Sequence, residues 1–371
     1  MSEDRPVLLA AGGTGGHLFP AQALAVALAA RGVPVELVTD ERALKYGGEF
    51  PARAFHTIAA ATPTGGSLIS KALAVLKLMR GTIAARRLVA RVRPRAVVGF
   101  GGYPTVPPML AARQLKIPSI LHEQNAVMGR ANRFLSGAVD AIATGFPTLS
   151  GVAEAARGKL RHVGNPLRPA VLAAAAAPYP DDSSLCVVVT GGSQGARVMS
   201  DVAPAAIALL SAEQRARVKL TQQARGEDEA RVREAYAKLG FAAEIAPFFA
   251  DLPARMAGAH LVVARAGAST VSELAAIGRA CVLVPFPHAL DQDQAANARA
   301  LEQAGAATVI PQSDFSPQRL AQDLVEALED PATLKLRADA ARAVAVLDAA
   351  DRLADLVLEI APSPSGVRSS S

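Results

Sequence analysis

The chain has 371 residues, 51% of them hydrophobic, 19% charged and 4% aromatic, with a formal net charge of +6. That length exceeds one ordinary domain, and that composition excludes a disordered or fibrous chain. The opening MSEDRP has no apolar signal core, and the apolar-leaning runs 18–30 and 170–178 are too short for a bilayer span, so a cytoplasmic protein is expected.

Short Val/Leu/Ile/Ala runs alternate with longer helical patterns along the whole chain. Strands are predicted near 7–11, 35–39, 54–58, 96–99, 119–121 and 141–144 in the first half. In the second half they fall near 185–190, 217–222, 242–246, 261–264, 281–284 and 307–310. Continuously apolar strands separated by helices argue for parallel sheets covered on both faces. The stretch 164–184, GNPLRPAVLAAAAAPYPDDSS, breaks this rhythm with four prolines. The expected layout is an N-terminal domain over 1–165, a linker over 166–184 and a C-terminal domain over 185–345. A helix over 346–360 could pack back on the N-domain, and the tail 361–371 is expected to be disordered. Cys186 and Cys281 sit in apolar runs and read as buried free thiols.

Each half opens alike. VLLAAGGTGG (7–16) and CVVVTGGSQG (186–195) are each a strand, two glycines, a Ser or Thr and another glycine before a helix. Such a turn brings a ligand against bare backbone at the positive end of a helix, where phosphate is the common occupant. No Gly-Lys-Ser/Thr follows either turn, which argues against a Walker A loop. Gly13 and Gly15 begin a dinucleotide fingerprint, but its third glycine is replaced by Leu18. Asp40 could still mimic the ribose acid, so an NAD-dependent oxidoreductase stays open as an alternative. The glycines could also serve strand–helix packing alone.

A further strand ends in ARAGASTVSELAAIG (264–278), where Ala268, Ser269 and Thr270 open a helix with Glu273 one turn in. The loop VPFPHALDQDQAANA (284–298) follows the next strand and holds Asp291, Asp293, Gln294 and Asn297. Asp291-Gln292-Asp293 spells D-x-D, read as sugar binding or chance rather than a metal site. All these polar residues lie at the carboxyl ends of predicted strands, where open α/β sheets bind ligands.

Charge is unevenly spread. Residues 1–165 carry 20 Lys and Arg against 9 acids, and the remainder carries 19 against 24. Residues 68–95, LISKALAVLKLMRGTIAARRLVARVRPR, hold eight basic residues and no acid. Their helical spacing of Leu, Ile and Met suits either a core-facing helix or a basic amphipathic surface for anionic lipid. The low aromatic content and the lack of any reader motif argue against nucleic acid, despite a pI of about 9.6.

The segments GGTGGHLFPAQALA, GFGGYPTVPP, HEQNAVMGRANRFL, GNPLR, GGSQGA and RAGASTVSELAAIGRACVLVPFPHALDQDQAANA together resemble the MurG family of N-acetylglucosaminyl transferases of peptidoglycan synthesis. They stand in the family's order and span about residues 7 to 310; Met128, where many relatives have proline, is a departure. The resemblance implies a GT-B fold, two Rossmann-like doubly wound parallel-sheet domains facing across a cleft. It implies inverting transfer of N-acetylglucosamine from UDP-N-acetylglucosamine to the C4 hydroxyl of lipid I, giving lipid II, by a peripheral enzyme on the cytoplasmic face of the inner membrane. Other cell-wall synthesis proteins are conceivable partners, and no cofactor or metal is required.

Residue by residue, the resemblance puts Ala268, Ser269 and Thr270 on the diphosphate and sugar, and Glu273 on the ribose. Phe249 falls at the uracil, Arg168 near that base, and Ser193 near the phosphates. Asp293 and Gln294 fall at the acetylglucosamine hydroxyls. Thr14, Gly15, Gly16 and Asn125 reach the transferred sugar or the acceptor, and Gly13, Gly101, Gly102 and Tyr103 form the acceptor diphosphate site. His17, beside the first glycine turn, is the candidate base, with a helix-cap or packing role as the alternative. His122 and Glu123 are its rivals. A related GT-B transferase with another acceptor, and an inactive nucleotide-sugar binder, are the remaining readings.

Overall fold

The computed structural model describes residues 5–12, 15–40, 50–58, 68–192, 195–287 and 293–361, with backbone alone over 68–78. The chain divides into two compact units, Met1–Arg168 with Leu347–Ser371, and Pro169–Val346.

The first unit runs β1 (Val7–Ala10), α1 (Gly15–Ala30), β2 (Val35–Thr39), β3 (Ala54–Thr57), α2 (Leu68–Val92), β4 (Ala96–Gly99), α3 (Val106–Gln114), β5 (Ser119–Glu123), α4 (Arg130–Leu135), β6 (Ala141–Thr144) and β7 (Leu160–His162). The seven strands are parallel in the order β3-β2-β1-β4-β5-β6-β7. Strand alternation splits the core between two faces. Val7 and Leu9 pack with Leu24 and Leu28 of α1, while Leu8 packs with Leu88 and Val89 of α2 and Met109 of α3.

The second unit runs α5 (Pro169–Ala175), β8 (Leu185–Thr190), α6 (Arg197–Leu209), α7 (Ala212–Ala216), β9 (Val218–Gln223), α8 (Gly226–Lys238), β10 (Ala243–Ala246), α9 (Leu252–Ala257), β11 (Leu261–Ala264), α10 (Ala268–Ile277), β12 (Ala280–Leu283), α11 (Asp293–Gln303), β13 (Ala307–Val309), α12 (Pro317–Glu329) and α13 (Pro331–Ala343). Its six strands are parallel in the order β10-β9-β8-β11-β12-β13. Val187, Val189 and Val263 pack with Met199 and Ile207 of α6 and Leu324 of α12. The chain then returns, and α14 (Ala349–Ile360) buries Leu353 and Val357 in the first unit's core beside α1.

All twelve predicted strands are present. β7 was not predicted, because Leu160-Arg161-His162 offers no apolar run and two of its three residues are exposed at the sheet edge. Residues 169–175 of the expected linker fold as α5, with Val171, Ala174 and Ala175 buried. Cys281 is buried as expected, but Cys186 is only half-buried. Residues 362–371 of the expected tail lie outside the described residues.

Candidate active site

In each sheet the chain order reverses between two central neighbours, β1 and β4 in one and β8 and β11 in the other. Crevices open at such switch points, and the four segments leaving these strands carry most of the predicted site.

In the first unit, β1 runs into Ala11 and Gly12, and α1 begins at Gly15; Gly13 and Thr14 lie outside the described residues. Beside it β4 runs into Phe100, Gly101 and Gly102. The two exits are tied together. Phe100 N donates to Ala10 O at 2.8 Å, and the buried Thr105 hydroxyl lies 2.6 Å from Gly101 O and 3.2 Å from Ala10 O. His17, half-buried in the first turn of α1, lies against this bare backbone. A Cβ on Gly12 would come within 3.4 Å of its Nδ1, and one on Gly101 within 3.3 Å of its Nε2. Gly101 and Gly102 also have φ of +88° and +78°, which side-chain-bearing residues rarely adopt. The glycines therefore make the slot that holds the imidazole. Tyr103 is half-buried just beyond it, and Gly16 is exposed.

The HEQN segment is built differently. His122 has no solvent exposure; its ring lies 3.0 Å from Gly164 O through Nε2 and 3.1 Å from Gln124 Nε2 through Nδ1. Burial pushes its pKa down to about 4, so the ring stays neutral. Glu123 is 2% exposed, and its carboxylate accepts from Gly129 N at 2.9 Å, Asn132 Nδ2 at 2.8 Å and Asn125 N at 3.1 Å. Burial raises its pKa against those bonds. Both rival bases are thus buried: Glu123 holds the loop from Asn125 to Asn132, His122 is tied to Gly164 and Gln124, and the half-buried Asn125 stays at the rim. Arg168 does not extend into solvent; its guanidinium lies 4.3 Å from the Phe19 ring centroid.

In the second unit, α10 starts after Gly267 with no side-chain cap, so the amides of Ala268, Ser269 and Thr270 form an uncapped helix N-terminus. Glu273 is buried one turn further on. The neighbouring loops are pinned. Gln294 Oε1 accepts from Ala266 N at 3.3 Å and Phe286 N at 3.0 Å, and Asn297 Nδ2 donates to Ala266 O at 3.2 Å. The buried Arg265 donates to Val284 O and to Gln312 Oε1 at 2.6 Å. Gln294, expected to bind sugar hydroxyls, therefore spends its carbonyl oxygen on backbone, and its amide nitrogen can act only as a donor. Asp293 opens α11 and accepts from Gln294 N at 2.9 Å. Phe249 is 9% exposed beneath the Arg255 guanidinium, 4.3 Å from its ring centroid. Ser193 and Asp291 lie outside the described residues. Arg265 and Gln124 escaped sequence reasoning: an Arg beside glycine or a Gln after a strand carries no signal until burial forces it to find partners.

Residues 7–144 match the glycosyltransferase family 28 N-terminal domain, and residues 186–353 the glycosyltransferase family 28 C-terminal domain. The chain is 60% identical over 363 residues to the UDP-N-acetylglucosamine--N-acetylmuramyl-(pentapeptide) pyrophosphoryl-undecaprenol N-acetylglucosamine transferase of Methylorubrum populi, covering 97% of this chain and 98% of that protein. It is 60% identical over 359 residues to the protein of the same name from Methylorubrum extorquens, covering 96% and 97%. The crystal structure of Acinetobacter baumannii MurG superposes with a TM-score of 0.77 at 30% identity, covering 96% of this chain and 99% of that one.

Proposed function

The chain belongs to glycosyltransferase family 28, within its MurG branch, and from that premise we propose how its two units share the transfer of N-acetylglucosamine in peptidoglycan synthesis. It is a UDP-N-acetylglucosamine-dependent glycosyltransferase of the GT-B class, acting on N-acetylmuramyl-(pentapeptide) pyrophosphoryl-undecaprenol. The roles of individual residues that follow are our reading.

The second unit holds the donor. The uncapped N-terminus of α10 is the observation that carries this assignment. As UDP departs, negative charge builds on its diphosphate, and fixed amides at a helix N-terminus stabilise that charge without reorganising. Ser193 contributes from the glycine turn, Glu273 takes the ribose hydroxyls, Phe249 lies at the uracil, and Arg168 is assigned near that base. Gln294 and Asp293 take the acetylglucosamine.

The first unit holds the acceptor. Gly13, Gly101, Gly102 and Tyr103 take its diphosphate, while Thr14, Gly15, Gly16 and Asn125 meet the sugars. His17 accepts the proton of the attacking C4 hydroxyl. A single displacement inverts the anomeric carbon and needs no covalent nucleophile. His17 is favoured over His122 and Glu123 because its imidazole lies in the glycine slot, whereas Glu123 is buried and bonded to Gly129 and Asn132, and His122 is buried against Gly164 O.

Among the described residues no helix is long and apolar enough to cross a membrane. A lipid-linked acceptor must then be met at the bilayer surface. On α2, Leu88 and Val89 are buried in the core, while Met79 and Ile83 are 58% and 53% exposed among arginines. The core-facing and lipid-facing readings of this helix thus describe different faces, and we assign Met79 and Ile83 to an anionic membrane on the cytoplasmic side.

Calorimetry tests the donor assignment. UDP-N-acetylglucosamine should bind, UDP-glucose should bind more weakly, and NAD should give no heat. Binding of NAD without UDP-N-acetylglucosamine would return the oxidoreductase reading.

A further inference from the structure

Gln223, the last residue of β9, sits between the strand that leads to the second glycine turn and the strand that leads to Phe249. It is 6% exposed. Its Oε1 accepts from the Thr190 hydroxyl at 2.7 Å and from Gly191 N at 3.2 Å. The Thr190 hydroxyl in turn accepts from Gly192 N at 3.2 Å, so one amide oxygen fixes the entry of the turn through two donors. Its Nε2 donates in the other direction, to Pro247 O at 3.2 Å, two residues before Phe249. Neither end can be exchanged for the other. A reversed amide would set its NH2 against Gly191 N–H and its oxygen against the Pro247 carbonyl. Gln223 also lies outside the segments that carry the family resemblance.

We propose that Gln223 is a positioning residue that couples the diphosphate-binding glycine turn to the base-reading loop, so that a uridine diphosphate ligand meets both in one register. The inference rests on the donor reading of the second unit. Gln223 need touch no reacting atom. Its oxygen holds the turn and its nitrogen holds the loop, and a shift of either passes through one planar amide. A buried polar group left unpaired at either end would favour local rearrangement.

The test is calorimetric titration of UDP and of uridine into the full chain and its Gln223→Met, Thr190→Val and doubly substituted forms, with melting temperatures recorded. Gln223→Met should weaken UDP about tenfold and uridine by a smaller but measurable factor. Thr190→Val should weaken UDP alone, and its effect should be clearly smaller in the Gln223→Met background than in the unsubstituted chain, since the two share one bond while Thr190 also holds Gly192 N. A Gln223→Met protein with a lower melting temperature but unchanged dissociation constants would overturn the inference, as would additive effects or a loss confined to UDP. An unsubstituted chain that binds neither ligand overturns the donor reading instead, and the coupling with it.

Discussion

At the scale of single residues, the first unit separates its titratable groups by burial. His17 lies in a slot of glycine backbone, and His122 lies in the interior with both ring nitrogens engaged. Replacing His17 by Ala should lower kcat by about 10²-fold or more, the ordinary worth of a positioned base, with little change in UDP-N-acetylglucosamine affinity. Steady-state kinetics and donor titration on the same preparation read both; near-normal turnover would remove the base assignment. Gly101→Ala should cost about 1–3 kcal/mol of stability, because a φ of +88° is strained for alanine, and should also depress kcat because its Cβ approaches the His17 ring at 3.3 Å. Urea denaturation and turnover check the two parts. His122 predicts the acid behaviour. Its folded pKa of about 4 lies below the ordinary histidine value, so at high pH neither state is charged and no stability depends on it. As pH falls below about 6.5 the unfolded chain takes the proton first, and stability is lost progressively down to about pH 4. His122→Gln should flatten that limb of a denaturation-against-pH curve. The HEQN string offered two acid–base candidates to sequence reading, since a titratable pair at a strand end is what a catalytic site looks like. That both side chains turn inward depends on Gly164, Gln124, Gly129 and Asn132, and no local pattern announces those partners.

At the scale of elements, the strands were legible because burial on both faces demands unbroken apolar runs, as in VLLA of β1 and LVVA of β11. Where that demand lapses, at the exposed edge strand β7, the signal lapses with it. The alanine-rich stretch that became α5 was masked by the prolines on either side of it. The helix after residue 346 was visible, but its placement comes from tertiary packing: Leu353 and Val357 have no solvent exposure within the first unit's core. Leu353→Ala should therefore cost about 2–5 kcal/mol, measured by denaturant titration, although it lies far in sequence from the sheet it covers. Arg31→Ala should cost less than about 1 kcal/mol, because its partners Asp351 and Asp355 are 62% and 69% exposed. On α2, Met79→Asp together with Ile83→Asp should reduce cosedimentation with anionic vesicles at low salt. Transfer to a soluble acceptor analogue should stay at the wild-type rate; unchanged cosedimentation would remove the membrane face.

At the scale of the whole molecule, the two sheets repeat one plan, with a glycine turn at each switch point, and divide chemistry by charge. The basic excess lies in the first 165 residues, on the side assigned to a pyrophosphoryl lipid. The remainder is net acidic, and in the proposed division the uncapped N-terminus of α10 meets the donor's anion. Transfer of labelled N-acetylglucosamine from its UDP donor to a lipid I analogue, followed with and without a chelator, tests this division most directly. The account predicts one β-linked N-acetylglucosamine added per acceptor, at a rate the chelator leaves unchanged and His17→Ala nearly abolishes. Hydrolysis of the donor without transfer, or full transfer by the His17→Ala protein, would contradict it.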